Sequence, residues 1–327
     1  MVFNANFLVI ILVAACPTLH FPMYFFLSQL SLSEILFTTN IVPNMLRLIL
    51  IGGGTMSVRG CIAQLCLLCV PTITQCLLLA TMSFDRYVAI CNPLHYTSIM
   101  TFKLQLNIVT FCWISGFMLS FAIYIVSSRL IFCHSNKINH FYCDIAPLIA
   151  LSCSDTTYVE LVVALISAFL AFSPFLFIII TYIFILANIL KIPSSFGRQK
   201  AFSTCSSHLA VVCMYYGTLT VIYLYPPGNH SLSINKFLSL LYTLVTPLSN
   251  PIIYSLRNHD IRRNGLSVSL MLLSMFVLCT LEEEKTFGFT TTQQLALWLS
   301  WLKRLSCKQK ILSSILSSAC LLPLKNG

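Results

Sequence analysis

Charged residues are scarce in this sequence. Asp and Glu together number 9 and Lys and Arg 19 in a chain of 327 residues, so that only 9% of the residues are charged while 57% are hydrophobic. A soluble domain carries about 25% charged residues, and the composition therefore excludes an ordinary soluble fold. The mean hydropathy of +0.87 indicates an integral membrane protein instead.

The scarcity of acids also argues against an enzyme. The sequence contains no paired carboxylates, no cluster with metal-ligand spacing and no nucleophile–base arrangement, which are the groups that catalysis uses. We therefore expect no catalytic residue, no cofactor and no metal site. A membrane transporter is a further alternative, but it would need charges at the bilayer midplane. Glu34 and Glu160 are the only acids in or beside the apolar runs away from Asp85, and no internal repeat is present.

Nucleic-acid binding is disfavoured despite a net charge of +10. Lys and Arg lie in loops and in the tail rather than along one basic face, a distribution typical of the cytoplasmic side of membrane proteins. Most of the 15 Cys residues lie inside apolar runs, where they act as small hydrophobes. The redox-like spacing of Cys66 and Cys69 falls within such a run, and we therefore expect no redox site there.

Seven apolar runs approach or exceed the ~20 residues that a spanning helix needs. They cover residues 1–15, 22–50, 61–91, 104–126, 158–190, 209–225 and 237–256. The first is short and lacks the positive leader of a signal peptide, so we interpret it as the later part of a truncated span. The sequence thus predicts an all-α fold, a seven-transmembrane helix bundle over residues 1–258 with a truncated first helix. A long atypical C-terminal tail, residues 259–327, follows with an apolar stretch at 266–281 that is marginal for crossing a bilayer.

A charged pair ends the third run, which contains no charge before Asp85. Because a charge at the bilayer centre costs about 2.5 to 3.5 kcal/mol, Asp85 and Arg86 are expected at an aqueous boundary, where they could form an ion pair. A partner could reach Arg86 there, or Arg86 could simply anchor the helix end. Charge placement alone does not separate these two interpretations.

The segment from Ser127 to Thr157 is extracellular if the loop after Arg86 is cytoplasmic, an orientation that leaves more Lys and Arg inside than outside. Its cysteines share that face with the start of the third run, and the four residues are Cys61, Cys133, Cys143 and Cys153. Four Cys in an oxidising compartment allow three pairings. Two disulfides would fold the segment as a lid over the bundle. Asn229 begins a glycosylation sequon on the same face, close to the membrane.

The end of the seventh run contains a helix breaker. Pro251 removes a backbone hydrogen bond beside Asn250, and Tyr254 lies one turn further on. Such a helix is either a kinked structural element or a joint that small forces rearrange. With this stretch, the chain resembles the rhodopsin-like G protein-coupled receptors, specifically the odorant (olfactory) receptors, over about residues 6–258. The strings that carry the resemblance are Leu19–Ser28, Met82–Tyr96, Lys200–His208 and Pro247–Asn258.

The resemblance implies roles for individual residues. Asp85, Arg86 and Tyr87 match the inner motif of the family, whose Arg engages the G protein. The seventh-helix switch corresponds to Asn250, Pro251 and Tyr254. The implied disulfides are Cys61–Cys143 and Cys133–Cys153, and Tyr216-Gly217 falls at the sixth-helix pivot. Asn6 and Glu34 match polar positions of the first two spans. As an intramembrane acid, Glu34 is a candidate cation or polar site together with Asn6 and Asn250, or a neutral group with a structural hydrogen bond.

A ligand pocket is expected in the outer half of the bundle. Two helical faces are predicted to line it: Leu68, Cys69, Thr72 and Ile73 in the third run, and Tyr216, Leu219, Thr220 and Tyr223 in the sixth. These side chains are mostly apolar with a few hydroxyl groups, which suits a small volatile organic molecule. The alternative is that each of them only packs helix against helix.

The resemblance implies a multi-pass protein of the cell membrane, surrounded by membrane lipid. Its partners would be a small volatile odorant and the stimulatory heterotrimeric G protein of olfactory signalling. Family members begin with an extracellular segment and end in a short basic tail, whereas this chain starts inside the first span and continues to residue 327. We therefore expect weak surface expression with retention in the endoplasmic reticulum. A truncated, nonfunctional receptor remnant remains the alternative.

Overall fold

The computed structural model describes residues 2–15, 17–51, 54–133, 138, 142–224, 243, 247 and 250. Within these ranges the chain is helical, with no strand and one β-bridge between Phe132 and Ser152. The all-α class predicted from the sequence is confirmed. The helices are α1 (Val2–Ala15), α2 (Pro22–Ile51), α3 (Val58–Cys91), α4 (Tyr96–Ile99), α5 (Phe102–Ser127), α6 (Ile145–Leu151), α7 (Thr157–Leu190) and α8 (Ser195–Leu224).

Four helices in the described part of the chain are long and apolar enough to cross a membrane. They are α2 (over Pro22–Leu48), α3, α5 and α7, while α1 is a shorter apolar helix. Each lies close to a predicted run. The helix of the predicted sixth span differs, because α8 begins at Ser195 and the apolar run only at Leu209. The backbone hydrogen bonds of a helix do not depend on apolar side chains, so α8 begins well before the apolar run.

The helix α3 lies at the centre and packs against α2, α5, α7 and α8. In its most apolar window 56% of the residues are buried, against 17% for α7. The outward face of α7 instead exposes large apolar side chains such as Phe169, Phe172 and Leu176. Such a face is favourable only in contact with lipid or another apolar partner. α3 is therefore the central helix of the bundle, and α7 lies at its periphery.

The contact between α3 and α5 depends on a glycine. A Cβ added at Gly116 would lie 2.6 Å from Thr74 Oγ1 and 2.9 Å from the carbonyl oxygen of Val70. One turn further on, Ser120 Oγ donates to the carbonyl oxygen of Cys66 at 2.7 Å. Small residues that let helix backbones approach are typical of helix packing in membranes. Gly116 therefore fixes the spacing of this helix pair.

The predicted seventh span, residues 237–256, lies outside the described residues except at Thr243, Pro247 and Asn250. Pro251, Tyr254, Asn229 and the tail over 259–327 also lie outside them, so the predictions made for these positions stay predictions.

Candidate functional site

Three buried polar side chains meet where α1 and α2 approach the segment around Asn250. Asn6, Glu34 and Asn250 are at most 4% exposed. Asn250 Nδ2 donates to Glu34 Oε1, and Asn6 Nδ2 donates to the carbonyl oxygen of Pro247 at 3.3 Å. The structure thus brings together the three residues of the predicted cation or polar site.

Two acceptor atoms of this cluster have no hydrogen-bond partner among the residues that the structure describes. They are Glu34 Oε2 and Asn6 Oδ1. Buried acceptors are costly when unpaired, and a proton on Glu34 or a small cation between carboxylate and amide oxygens would satisfy them. Both alternatives from the sequence therefore fit the geometry. Among the described residues, no group of three or more His, Cys, Asp or Glu has the arrangement of a metal site.

At the inner end of α3, Asp85 is bonded to a tyrosine rather than to Arg86. Tyr96 Oη donates to Asp85 Oδ1 at 2.8 Å, while the buried Arg86 Nε has no hydrogen-bond partner in the described part of the chain. The Asp85–Arg86 ion pair considered from the sequence stays a prediction, while the observed hydrogen bond of Asp85 Oδ1 is the one to Tyr96. Burial and the adjacent Asp85 carboxylate raise the pKa of Tyr96, which keeps its phenol a donor.

A buried pair in α7 and α8 was not predicted. Tyr182 Oη and His208 Nδ1 are 2.8 Å apart, and their rings stack with centroids 5.8 Å apart. Tyr182 Oη also donates to the carbonyl oxygen of Cys205 at 3.2 Å. Tyr182 lies in the fifth apolar run and His208 just before the sixth, so only the fold joins them. The pair ties the inner parts of α7 and α8 together.

Further contacts join α3 to α7 on the inner side. Tyr87 meets Phe184 edge-on at 6.1 Å between ring centroids. Asn188 Nδ2 donates to Cys91 Sγ at 3.3 Å. The Asp-Arg-Tyr motif therefore lies between α7 and the loop that follows α3.

The predicted ligand-lining faces of α3 and α8 do meet, but through a residue that was not predicted. Tyr215 Oη donates to the carbonyl oxygen of Thr72 at 2.9 Å, and Tyr216 Oη donates to that of Cys76 at 3.4 Å. Tyr215 is 1% exposed. The adjacent tyrosines were the available signal, since both carry a polar tip that a buried helix contact must satisfy.

The other predicted lining residues are placed as follows. Leu68 and Ile73 are buried, Cys69 and Thr72 are half-buried, and Leu219 is half-buried against the main core cluster. Tyr216 packs on Phe175 of α7 with ring centroids 5.1 Å apart. The side chains of Thr220 and Tyr223 lie outside the described residues. A Cβ added at Gly217 would meet nothing within 4 Å.

Two disulfides hold the segment before α7, one joining it to the outer end of α3 and one closing it on itself. Cys61 is linked to Cys143 with Cα atoms 5.4 Å apart, and Cys133 to Cys153 with Cα atoms 6.0 Å apart. This is the pairing that the resemblance implies. Gln64 Oε1 also accepts a hydrogen bond from the Cys143 amide at 3.2 Å. The short helix α6 is thereby held beside the end of α3.

Comparisons with known proteins agree with this arrangement. The family model described as olfactory receptor matches residues 1–274. Olfactory receptor 5P68 of Mus musculus is 44% identical over 261 residues, which cover 79% of this chain and 82% of that protein. Olfactory receptor 10R2 of Homo sapiens is 42% identical over 261 residues, covering 80% and 78%. Olfactory receptor 10A2 of Homo sapiens is 45% identical over 262 residues, covering 80% and 86%.

Proposed function

The chain belongs to the olfactory receptor family and is an all-α seven-transmembrane membrane protein, and on this premise we propose that it binds small volatile organic ligands and activates a stimulatory heterotrimeric G protein. We place this activity at the cell membrane. The ligand would bind in the outer half of the bundle and the G protein at the inner end of α3.

The observation that carries the proposal is the contact between α3 and α8. Tyr215 reaches the carbonyl oxygen of Thr72, within the predicted ligand face. A molecule bound beside Thr72 and Tyr216 would act on this contact and so on the position of α8 relative to α3. A ligand shifts a conformational equilibrium only through different contacts in the two states, and this contact offers such a difference.

The inner half supplies the second part of the mechanism. The same helix α8 carries His208, which is bonded to Tyr182 near the level of Arg86. A displacement of α8 would separate this pair and open the space next to Arg86. Rigid helix shifts of this kind are a common form of switching. Arg86 Nε, which bonds to none of the described residues, would then be a donor for a G protein segment.

The lining chemistry supports a small, weakly polar ligand. Leu68, Ile73 and Leu219 supply apolar surface, and the hydroxyl groups of Thr72 and Tyr216 supply a few polar contacts. Thr72 Oγ1 bonds to its own helix at the carbonyl oxygen of Leu68. In the described part of this face no charged side chain is present to hold an amine or a carboxylate. Pockets of this composition suit small organic molecules.

A cAMP assay with a panel of volatile ligands tests the proposal. We expect Arg86→Ala to abolish the ligand-dependent rise in cAMP while surface labelling of the receptor persists. Lys103→Ala is the matched control, because it removes an exposed basic residue at the inner end of α5 and should leave the response unchanged. A response that survives in Arg86→Ala would rule out the proposed role of Arg86.

A further inference from the structure

A groove lies between the inner ends of α7 and α8, apart from the predicted ligand face and from Arg86. Its volume is about 410 Å³, within the range of about 300 to 1,000 Å³ that small-molecule sites occupy. Its surface is mainly apolar, from Leu186, Ile189, Leu190 and Phe202, and its polar lining residues are Ser195, Gln199 and the one cation, Arg198.

The walls of the groove face outward from the bundle. Leu190 is 70% exposed and Phe202 56%, whereas Ile189 forms a buried floor at 2%. Large apolar side chains exposed in this way are unfavourable in water and mark a surface that another apolar body covers. In a membrane protein that body is lipid wherever the surface lies within the bilayer.

The depth of the groove follows from contacts on the opposite side of α7. Asn188 bonds to Cys91 Sγ, the last residue of α3. The groove residues Leu186 to Leu190 therefore lie level with the inner end of α3, at the boundary of membrane and cytoplasm. Apolar walls at this depth meet acyl chains, and polar groups at the rim meet lipid headgroups.

The rim of the groove is positively charged, and no acid among the described residues lies beside it to balance the charge. Arg198 lines the groove, and the exposed Lys191 follows Leu190 at the end of α7. In the described part of the chain the only acid on the inner side is Asp85, which is buried and bonded to Tyr96. The first turn of α8 adds the positive end of a helix dipole at Ser195. The rim thus favours an anion.

From these observations we propose that the α7–α8 groove binds one anionic phospholipid of the inner leaflet. An acyl chain lies on Ile189 between Leu186 and Phe202, and the phosphate group binds Arg198 at the rim. Basic pockets between transmembrane helices on the cytoplasmic side bind lipid headgroups by the same combination of charge and apolar surface. The inference does not depend on the proposed odorant response, because it concerns only the resting protein and its membrane.

Photo-crosslinking in nanodiscs tests this site. The full-length receptor is placed in phosphatidylcholine nanodiscs that contain a small fraction of photoactivatable phosphatidic acid, and the labelled peptides are identified by mass spectrometry. We expect labelling of residues 186–202. Arg198→Gln should reduce it about fivefold, the effect of one basic residue at an anionic leaflet, and Leu186→Trp should remove it by filling the groove.

Lys103→Gln is the matched control, since Lys103 is an exposed cation at the inner end of α5. Its labelling at residues 186–202 should equal that of the unmodified receptor. Equal losses in Arg198→Gln and Lys103→Gln would mean general attraction to the leaflet and would overturn the proposal. So would equal labelling by photoactivatable phosphatidylcholine. Displacement of the probe by a peptide spanning residues 279–289, which contains Glu282–Glu284, would assign the groove to the protein's own tail and equally overturn it.

Discussion

At the outer end of the bundle two disulfide bonds tie the segment before α7 to itself and to α3, whereas at the inner end the described helices are joined by side-chain hydrogen bonds. Cys61–Cys143 bridges 82 residues of the chain. The inner contacts are individual side-chain hydrogen bonds, such as those of the pairs Asp85–Tyr96 and Tyr182–His208. A covalent bond does not open on the time scale of a ligand response, while one hydrogen bond contributes only about 1 kcal/mol. The outer end is built to hold its shape and the inner end to change it.

The first prediction concerns removal of the two disulfide bonds at the outer end. In the chain-entropy description, loss of the Cys61–Cys143 bond costs about 4.5 kcal/mol for its separation of 82 residues. Loss of Cys133–Cys153 costs about 3.3 kcal/mol for its separation of 20 residues. We therefore expect Cys61→Ser/Cys143→Ser to reduce surface labelling and the unfolding midpoint more than Cys133→Ser/Cys153→Ser. Flow cytometry and a thermal unfolding assay measure both quantities.

The double substitutions serve as their own control against stray thiols, because each removes both members of a pair. Cys213→Ser, at an exposed free cysteine, should change neither quantity. If the two disulfides contributed equally, the link between loop length and stabilisation at the outer end would be wrong.

The second prediction concerns the inner pair of α7 and α8. His208→Leu removes the bond to Tyr182 and should lower the free energy of unfolding by about 1 kcal/mol. Because this bond holds α8 against α7, basal cAMP should rise. Tyr182→Phe removes the same bond together with the one to the Cys205 carbonyl, so the double variant should be scarcely less stable than Tyr182→Phe alone. Additive losses would show that the two side chains act independently.

A third, smaller effect is expected at the loop after α3. Tyr96→Phe removes the bond to Asp85 at a half-buried site and should lower the free energy of unfolding by about 0.5 kcal/mol. The pKa of Tyr96 is raised, so the stabilisation is fully present below the ordinary tyrosine pKa of about 10. It is lost only as the pH rises through the higher folded-state value. Thermal unfolding at neutral pH measures the change, and Tyr158→Phe, at an exposed outer tyrosine, should show none.

The smallest effect lies at the outer end, in the turn before α7. Thr157 donates from Oγ1 at 2.7 Å and from its amide at 3.0 Å to Asp155 Oδ1, and these bonds lower the pKa of Asp155. A depressed pKa means stabilisation above the ordinary value that is lost as the pH falls. Thr157→Val should raise the pKa of Asp155 without a measurable change in stability at neutral pH, since both residues are exposed. Carbon-13 titration of labelled aspartate carboxyl groups checks the shift.

The helices that cross the membrane were predictable because their signal is local. The runs of α2, α3, α5 and α7 are apolar over at least 20 residues, and the bilayer accepts little else. The start of α8 was not predictable in this way. Residues from Ser195 to His208 are largely polar, and only the packing of α8 against α7 shows that the helix begins so far before the apolar run.

Site residues were predictable where a residue type is rare inside a membrane and costs much free energy to bury there. Glu34 was identified from its position inside an apolar run, and the structure places it with Asn6 and Asn250. The bond from Tyr96 to Asp85 depends on how the chain reverses after Asn92, and the Tyr182–His208 pair depends on two helices meeting. Hydropathy and residue spacing describe only the local sequence, so they do not reveal contacts between residues that are far apart in the chain. Spacing alone also left the disulfide pairing open.

The glycine of α5 sets limits on how the sequence can vary. A side chain at position 116 would strike the Val70 carbonyl, a backbone atom that cannot move aside as a flexible side chain does. The outward phenylalanines of α7, by contrast, have largely exposed side chains. Random mutagenesis of this chain should therefore meet a sharply uneven tolerance: position 116 admits glycine alone, whereas Phe169 and Phe172 accept almost any apolar replacement. A library designed to alter ligand preference can vary the α8 face while leaving the α3–α5 frame untouched.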